Sequence, residues 1–260
     1  MRSYEAYRHV SDVASQAEQE LEPARALLDA GQARAALDIL RAVLDAWSEE
    51  WTWLDDSDGD ASRVFYTAEP LLVEALLAAG LSRDDLDWWA DSIDAWMAEL
   101  GDYGVDVFYD AYAAARSGWE APELLAVLRG ESDVLEPPVD DMLEESDELL
   151  TIRLRVLARN GQDEEALRLA AAAGHVDAYA TALVRRGEVA AAEQYALERV
   201  TRPAEAHEIA KAMHKAGMIA EALRVGERGV ALSEPERGYI IAGDELGMST
   251  RATLAIWLRG

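Results

Sequence analysis

The sequence predicts an all-α protein built as an α-solenoid, an array of antiparallel helix hairpins that is irregular in its N-terminal half. Strand signals are nearly absent, because no sustained run of residues alternates polar side chains with Val, Ile, Thr or Tyr. Ala, Leu, Glu and Arg recur at helical spacing instead. A turn motif centred on glycine also occurs four times, which indicates a repeated unit.

The first well-marked helix extends from Ala33 to Leu54. It carries an apolar stripe whose members follow one another at intervals of three or four residues: Leu37, Leu40, Leu44, Trp47, Trp51 and Leu54. A second stripe lies on another side of the helix and consists of Ile39, Ala46 and Trp53. We therefore expect this helix to lie between neighbours on two sides.

A second helix begins at Ser82 and ends at Gly101. The Ser82 hydroxyl can cap the helix, and Asp85 stands three residues later in the capping-box position. One face of this helix is apolar and consists of Leu86, Trp89, Ala90, Ile93, Trp96, Met97 and Leu100.

Trp88 lies on the opposite side of this second helix, about 200° round from the start of the apolar face. Its neighbours on that side include Asp84 and Asp91. If no other helix covers Trp88, we expect an aromatic anchor in a negative field, which suits an Arg or Lys side chain.

The segment "GESDVLEPPVDD", from Gly130 to Asp141, breaks the helical pattern with two prolines and several acidic residues. We expect a linker or long loop over residues 131–145. It separates an acidic, Trp-rich helical region, residues 1–130, from an Ala-rich region of helical repeats, residues 146–260.

Four glycines have matching neighbours. An Ala stands five residues after each of them, and a large apolar residue stands four residues before. Glycine permits the backbone conformation that ends a helix, the Ala lets the next helix approach closely, and the large residue fills the space between the two. Such a hairpin buries its apolar face only by stacking on its neighbours. The glycines are Gly31, Gly161, Gly187 and Gly217.

The repeated hairpin resembles the tetratricopeptide repeat, which places small residues at the corresponding positions of its two helices. A second resemblance covers most of the chain. Its stretches are "DDSDG" (55–59), "LLVEALLAAGLS" (71–82), "GDYGVD" (101–106), "LAVLRGE" (125–131) and the run from "RNGQDEEALRLA" to "YATALVRRGEVAAAEQYALE" (159–198). They look similar to the helical region that follows the zinc finger in bacterial and archaeal SWIM zinc-finger proteins. The resemblance implies an interaction scaffold normally attached to a metal-binding module, although the finger's own cysteine ligands are missing from this chain.

The chain has a formal net charge of −27, and residues 45–150 hold almost all of it. That segment has 29 acidic and 4 basic residues, whereas residues 151–260 have 15 of each. This charge favours a protein partner with a basic surface. It disfavours direct binding of nucleic acid, because a protein that neutralises phosphates needs clustered Lys and Arg.

The absence of cysteine excludes disulfides, thiolate catalysis and cysteine-ligated zinc or iron–sulfur centres. No apolar run reaches the roughly 18 residues of a membrane span, so we expect a soluble, cytoplasmic protein that does not bind membranes. The Gly-x-Ser-x-Gly elbow and the phosphate-binding loop are also absent. We therefore expect neither an enzyme nor a bound cofactor.

The acidic loop "DDSDGD", residues 55–60, raises the alternative of a calcium site. Asp56 and Asp58 match two ligand positions of an EF-hand loop. The bidentate acidic ligand is missing, because Phe65 stands at its position. We favour a solvated turn between helices.

These observations predict a non-catalytic protein–protein interaction scaffold. The partner-binding candidates are tryptophans and carboxylates of the acidic half, namely Trp88, Asp84, Asp91, Trp53, Asp55, Asp56 and Asp58. Two alternatives from other classes stay open. One is an acidic regulator that mimics DNA and occupies a nucleic-acid-binding protein, and the other is a hydrolase-type enzyme with a cleft between the two halves.

The last residues, "TRATLAIWLRG" at 250–260, predict an apolar helix that needs a cover. The stack could turn back over it, a second copy could cover it, or the chain could be a piece of a longer protein. We favour the last interpretation.

Overall fold

The structure is a computed structural model that describes residues 2–54, 56–136 and 146–232. These ranges contain thirteen α-helices, one single-turn 3-10 helix and no strand, which confirms the all-α prediction. Residue 55, residues 137–145 of the predicted linker and the segment 250–260 lie outside the described residues. In chain order the helices are α1 (Arg2–Gln19), α2 (Glu22–Asp29), α3 (Ala33–Glu50), η1 (Trp51–Trp53), α4 (Arg63–Ala78), α5 (Arg83–Gly101), α6 (Tyr109–Ser117), α7 (Pro122–Arg129), α8 (Asp147–Arg159), α9 (Asp163–Ala173), α10 (Val176–Arg185), α11 (Val189–Arg199), α12 (Pro203–Lys215) and α13 (Ile219–Leu232).

The described chain divides into two compact units. The first consists of the chain up to Leu125 and of the described residues between Glu136 and Val156. The second consists of Ala126–Leu135 and of the described residues from Leu157 onward. Each unit has an apolar core of its own, and α7 and α8 contribute residues to both units.

Helix α4 is the centre of the first unit. It packs against α1, α2, α3 and α6. Between Leu71 and Leu77 its sequence is apolar on every side except at Glu74, and the whole stretch is buried. Glu74 is 3% exposed, and its carboxylate accepts a hydrogen bond from Arg155 of α8 at 2.8 Å. This ion pair therefore ties α8 to the centre of the first unit.

The helix predicted from Ala33 to Leu54 ends earlier than expected. Helix α3 stops at Glu50, and the chain continues as the 3-10 turn η1. The first apolar stripe is buried, apart from Leu54, which is partly buried. The prediction that a neighbour covers the second stripe is wrong at Trp53, which is 84% exposed. The 3-10 turn has about 3.0 residues per turn, which rotates Trp53 outward while Trp51 stays in the core.

Helix α5 confirms the predicted capping box. The Ser82 hydroxyl accepts a hydrogen bond from the Asp85 backbone N–H, and the Asp85 carboxylate accepts one from the Ser82 N–H, both at 3.2 Å. The hydroxyl and the backbone of Ser82 thereby lower the pKa of Asp85. The helix ends at Gly101, and its predicted apolar face is buried or half-buried.

The four predicted glycine corners have one hydrogen-bonding pattern, and each glycine has a φ between 70° and 81°. After Gly187, the N–H of Glu188 donates to the Leu183 carbonyl at 2.9 Å, and the Glu188 carbonyl accepts the N–H of Ala192 at 3.0 Å. One residue thus closes a helix and opens the next. The same two bonds occur after Gly31, Gly161 and Gly217.

A fifth corner of this kind, at Gly174, does not follow the sequence motif. The N–H of His175 donates to the Ala170 carbonyl at 2.9 Å, and the His175 carbonyl accepts the N–H of Tyr179 at 3.0 Å. Here the small residue precedes the glycine and the large residue follows it. Because this order is the reverse of the motif, the sequence analysis missed the corner.

The hairpins of the second unit stack in order. Helix α10 packs against α9, α11 and α12, and α13 packs against α11 and α12. In the two hairpins α10–α11 and α12–α13, the first helices, α10 and α12, therefore pack against each other. The second helices, α11 and α13, do the same, as in stacked helical repeats. A solenoid over the whole chain stays a prediction.

Helix α6 follows a buried residue with an unfavourable backbone conformation. Phe108 has a φ of 73°, the one positive φ outside glycine in the described part of the chain. Glu69 of α4 accepts the backbone N–H of Asp110 at 3.2 Å and so caps α6. Burial raises the pKa of Glu69 to about 7; the N–H of Phe108 opposes this rise, and the charge of Asp110 adds to it.

Replacement of Gly187 by Ala tests the glycine corners. A Cβ at Gly187 would meet no atom within 4 Å. The substitution therefore costs only the free energy of placing an alanine in a left-handed backbone conformation. We expect Gly187→Ala to lower the free energy of unfolding, measured by urea denaturation, by about 1 kcal/mol. Gly101→Ala is the matched control, because its Cβ also meets nothing within 4 Å but its φ is not positive. Equal destabilisation by both variants would contradict the proposed role of the corner.

Glu69 should make stability depend on pH. Its pKa is about 7 in the folded chain, above the ordinary value of 4.5. Between these two pH values the folded chain therefore binds more protons at Glu69 than the unfolded chain does. The free energy of unfolding consequently falls as pH rises through this range. Glu69→Gln keeps an acceptor for α6. We expect this variant to remove up to about 3 kcal/mol of the change in unfolding free energy between about pH 5 and 7. The exposed Glu20→Gln is the control, and an equal pH slope in both variants would contradict the assignment.

Candidate functional site

Aromatic rings form a continuous series of contacts through the first unit. Neighbouring ring centroids are 5.2 to 6.3 Å apart. Both ends of the series reach the surface, where Tyr103 is 61% exposed and Trp88 is 43% exposed. In order, the rings are Tyr103, Trp51, Phe65, Phe108, Trp96, Trp89 and Trp88.

At one end of the ring series, Trp88 already contacts a cation. The guanidinium carbon of Arg41 in α3 lies 4.3 Å from the centroid of the Trp88 ring. Arg41 also donates a hydrogen bond to Asp45 at 3.4 Å. The chain's own arginine, from α3, therefore occupies one face of the ring that we expected to be uncovered, and the binding of a partner at Trp88 stays a prediction.

Two of the predicted carboxylates accompany Trp88. Asp84 and Asp91 lie one turn before and one turn after it on the same side of α5, and both are exposed. Neither forms an ion pair within the described residues. Asp87 differs, because Arg83 donates to its carboxylate at 2.6 Å and so lowers the pKa of Asp87. The structure thus brings Trp88, Asp84 and Asp91 together on one surface.

At the other end of the ring series, two helices finish next to each other. Trp51 directly follows α3, Tyr103 is the second residue after α5, and their ring centroids are 5.4 Å apart. Arg41 of α3 contacts Trp88 near the start of α5, so the two helices run in the same direction. The exposed Trp53 follows Trp51 within η1, about 4 Å further along the helix axis.

The acidic loop before α4 has a structural role at Asp56. The Asp56 carboxylate accepts the N–H groups of Ala61 at 2.6 Å and Ser62 at 3.2 Å, and so caps the start of α4. Asp58 is exposed, and Asp55 lies outside the described residues. In the described part of the chain, no three His, Asp or Glu side chains are grouped to hold a metal ion.

The acidic segment has few basic residues, and three of its four arginines are engaged within the chain. Arg63 pairs with Glu18 at 2.8 Å, while Arg83 and Arg116 both approach Asp87, at 2.6 and 3.9 Å. Several exposed carboxylates therefore have no ion-pair partner among the described residues. At the end of α3 and along α5 these are Glu49, Glu50, Asp84, Asp85, Asp91, Asp94, Glu99 and Asp102.

Tyr103 is a surface residue that the sequence analysis did not single out. The signal is present in "GDYGVD", where an aromatic residue stands between glycines directly after an amphipathic helix. A ring in such a position is either exposed or packed against another element, and Tyr103 is both.

No helix in the described ranges combines the length and the apolar character that a membrane crossing requires. The chain has no significant match to a protein-family model, to a curated protein or to a solved structure.

Arg41→Gln tests the cation contact of Trp88. Loss of the guanidinium should lower the free energy of unfolding, measured by urea denaturation, by about 0.5–1 kcal/mol. Arg25→Gln is the matched control, because Arg25 forms only a surface pair with Glu22 at 3.5 Å and should change the same quantity by less than about 0.5 kcal/mol. If Arg41→Gln destabilises no more than its control, the contact contributes nothing.

Proposed function

We propose that this chain is a non-catalytic protein–protein interaction scaffold whose first unit binds a basic surface of a partner protein. The supporting observation is the position of the exposed aromatic side chains. Among the residues whose side chains the structure describes, 10–54, 56–136 and 146–232, every exposed Trp or Tyr falls within residues 45–150, the segment with 29 acidic and 4 basic residues. These residues are Trp53, Tyr66, Trp88, Tyr103 and Tyr109.

An exposed ring in an acidic segment suits Arg and Lys side chains of a partner. The ring offers apolar contact area and attracts a cation to its face. The carboxylates supply complementary charge, which favours basic partners and accelerates their association. Trp and Tyr are also enriched among the residues that dominate binding energy at protein interfaces.

The second unit has the character of a support. Residues 151–260, which supply most of this unit, have 15 acidic and 15 basic residues, and ion pairs join its helices to one another. Arg185 of α10 pairs with Asp163 of α9 at 2.6 Å, and Arg224 of α13 donates to Glu193 of α11 at 3.0 Å. We propose that these stacked hairpins give the scaffold its repeat architecture.

The resemblance to the helical region of SWIM zinc-finger proteins narrows the proposal. On that basis, the basic partner is a neighbouring module or a partner protein of a SWIM-type system. The binding takes place in the cytoplasm.

Binding to the partner should weaken as salt rises. The full chain, immobilised on beads, would capture proteins from an extract of its source, and salt would be raised from about 0.05 to 1 M. We expect a captured protein with a basic surface that elutes below about 0.5 M salt. Beads that carry polyglutamate at the same charge density control for simple cation exchange. Capture that is indifferent to salt, or that polyglutamate reproduces, would contradict the proposal.

A further inference from the structure

We propose that the adjoining ends of α3 and α5 are the docking site for an arginine-bearing segment of the partner. This inference rests on the proposed function and locates its contact. We call the site the paired ends, and all its members are exposed: Glu49, Glu50, Trp53, Glu99, Asp102 and Tyr103.

The carboxylates of the paired ends stand where helix electrostatics disfavours them. A helix C-terminus carries partial negative charge, which attracts Lys and Arg and repels carboxylates. Neither α3 nor α5 has a basic residue in its last turn. Glu49 and Glu50 instead end α3, and Asp102 directly follows α5. A cation supplied from outside the chain would relieve the repulsion at both helix ends.

Trp51, whose ring contacts Tyr103 of the paired ends, has a buried donor without an acceptor in the described part of the chain. Trp51 is 3% exposed, and its indole Nε1–H makes no hydrogen bond within the described residues. Tyr103 packs on this ring from a short turn between Gly101 and Gly104. The N–H groups of Tyr103 and Gly104 donate to the carbonyls of Leu100 and Gly101, each at 3.0 Å, and close this turn on the end of α5. A backbone carbonyl of the docked segment would accept the Trp51 N–H.

The opposite end of the ring series illustrates how this chain binds a guanidinium. The guanidinium carbon of Arg41 lies 4.3 Å from the centroid of the Trp88 ring, and Arg41 also donates a hydrogen bond to Asp45 at 3.4 Å. The paired ends offer the same two components, an exposed indole and carboxylates, and no cation from the described residues contacts Trp53. Arginine fits better than lysine, because its planar guanidinium stacks on rings and donates several N–H groups to carboxylates.

The binding test uses the full chain and a dye-labelled nona-arginine peptide in fluorescence anisotropy titrations at about 0.15 M salt. We expect Trp53→Ala to weaken binding about five- to tenfold. Trp88→Ala removes an indole from the other end of the ring series, where Arg41 already contacts the ring. We expect this variant to change the affinity for the peptide by less than about twofold. Nona-lysine, with the same charge, should bind several-fold more weakly than nona-arginine.

Two matched charge variants add stability as a second readout. Asp102→Asn at the end of α5 and Asp84→Asn in its first turn each remove one exposed negative charge. We expect Asp102→Asn to raise the thermal midpoint and to weaken peptide binding about threefold, because the charge is unfavourable for the helix and favourable for the ligand. Asp84→Asn should lower the midpoint and leave binding within about twofold.

The outcomes separate this inference from the proposed function. Binding that Trp88→Ala weakens as much as Trp53→Ala, or that neither variant weakens, overturns the paired ends as the site and leaves the proposed function standing. If nona-arginine does not bind while the full chain captures a basic protein, only the site is wrong. If neither binds, both proposals are wrong.

Discussion

The packing of Trp51 between Phe65 of α4 and Tyr103 beyond α5 determines what the surface of the first unit presents. Trp51 continues the buried stripe of α3, so it stays in the core when the chain tightens into η1. Its ring contacts Phe65 at 5.5 Å and Tyr103 at 5.4 Å, and the second contact joins the residues that follow α3 and α5. Trp53 is exposed beyond the end of α3, and exposed carboxylates lie at or next to the ends of both helices.

The apolar burial of α4 offsets the charge that this arrangement carries. A segment with 29 acidic and 4 basic residues repels itself, and the repulsion destabilises a compact state. Helix α4 counters it by burying a stretch that is apolar on nearly every side. Stability alone would favour Lys or Arg at the ends of α3 and α5 and polar residues in place of Trp53. Local departures from what stability favours are expected at functional sites, and this expectation motivates the docking site that we propose.

Local features of the fold could be predicted because their interactions span few residues. The capping box of Ser82 and Asp85 and the corner at Gly187 each depend on residues close in sequence. The Gly174 corner keeps the same backbone bonds with the side-chain sizes exchanged, so the rule of Ala after glycine was too narrow. The outward turn of Trp53 could not be foreseen either, since periodicity assumes an α-helix where the chain forms a 3-10 turn.

The candidate site also combines features that the local sequence predicts with contacts that it does not predict. Helical spacing alone placed Trp88 beside Asp84 and Asp91. The contact of Arg41 with Trp88 joins two helices that are far apart in the chain, and no local pattern predicts it. The same holds for the meeting of Trp51 and Tyr103, which gives the exposed rings their place at the ends of two helices.

Nuclear magnetic resonance of the indole N–H groups, in a chain labelled with nitrogen-15 at its eight tryptophans, tests the central claim most directly. Single Trp→Phe variants would assign the signals, and nona-arginine would be the titrant. The account predicts that the Trp51 signal moves downfield as its N–H gains an acceptor and that the Trp53 signal shifts with it, while the Trp88 signal stays in place. A titration that shifts the Trp88 signal and leaves those of Trp51 and Trp53 unchanged would contradict it.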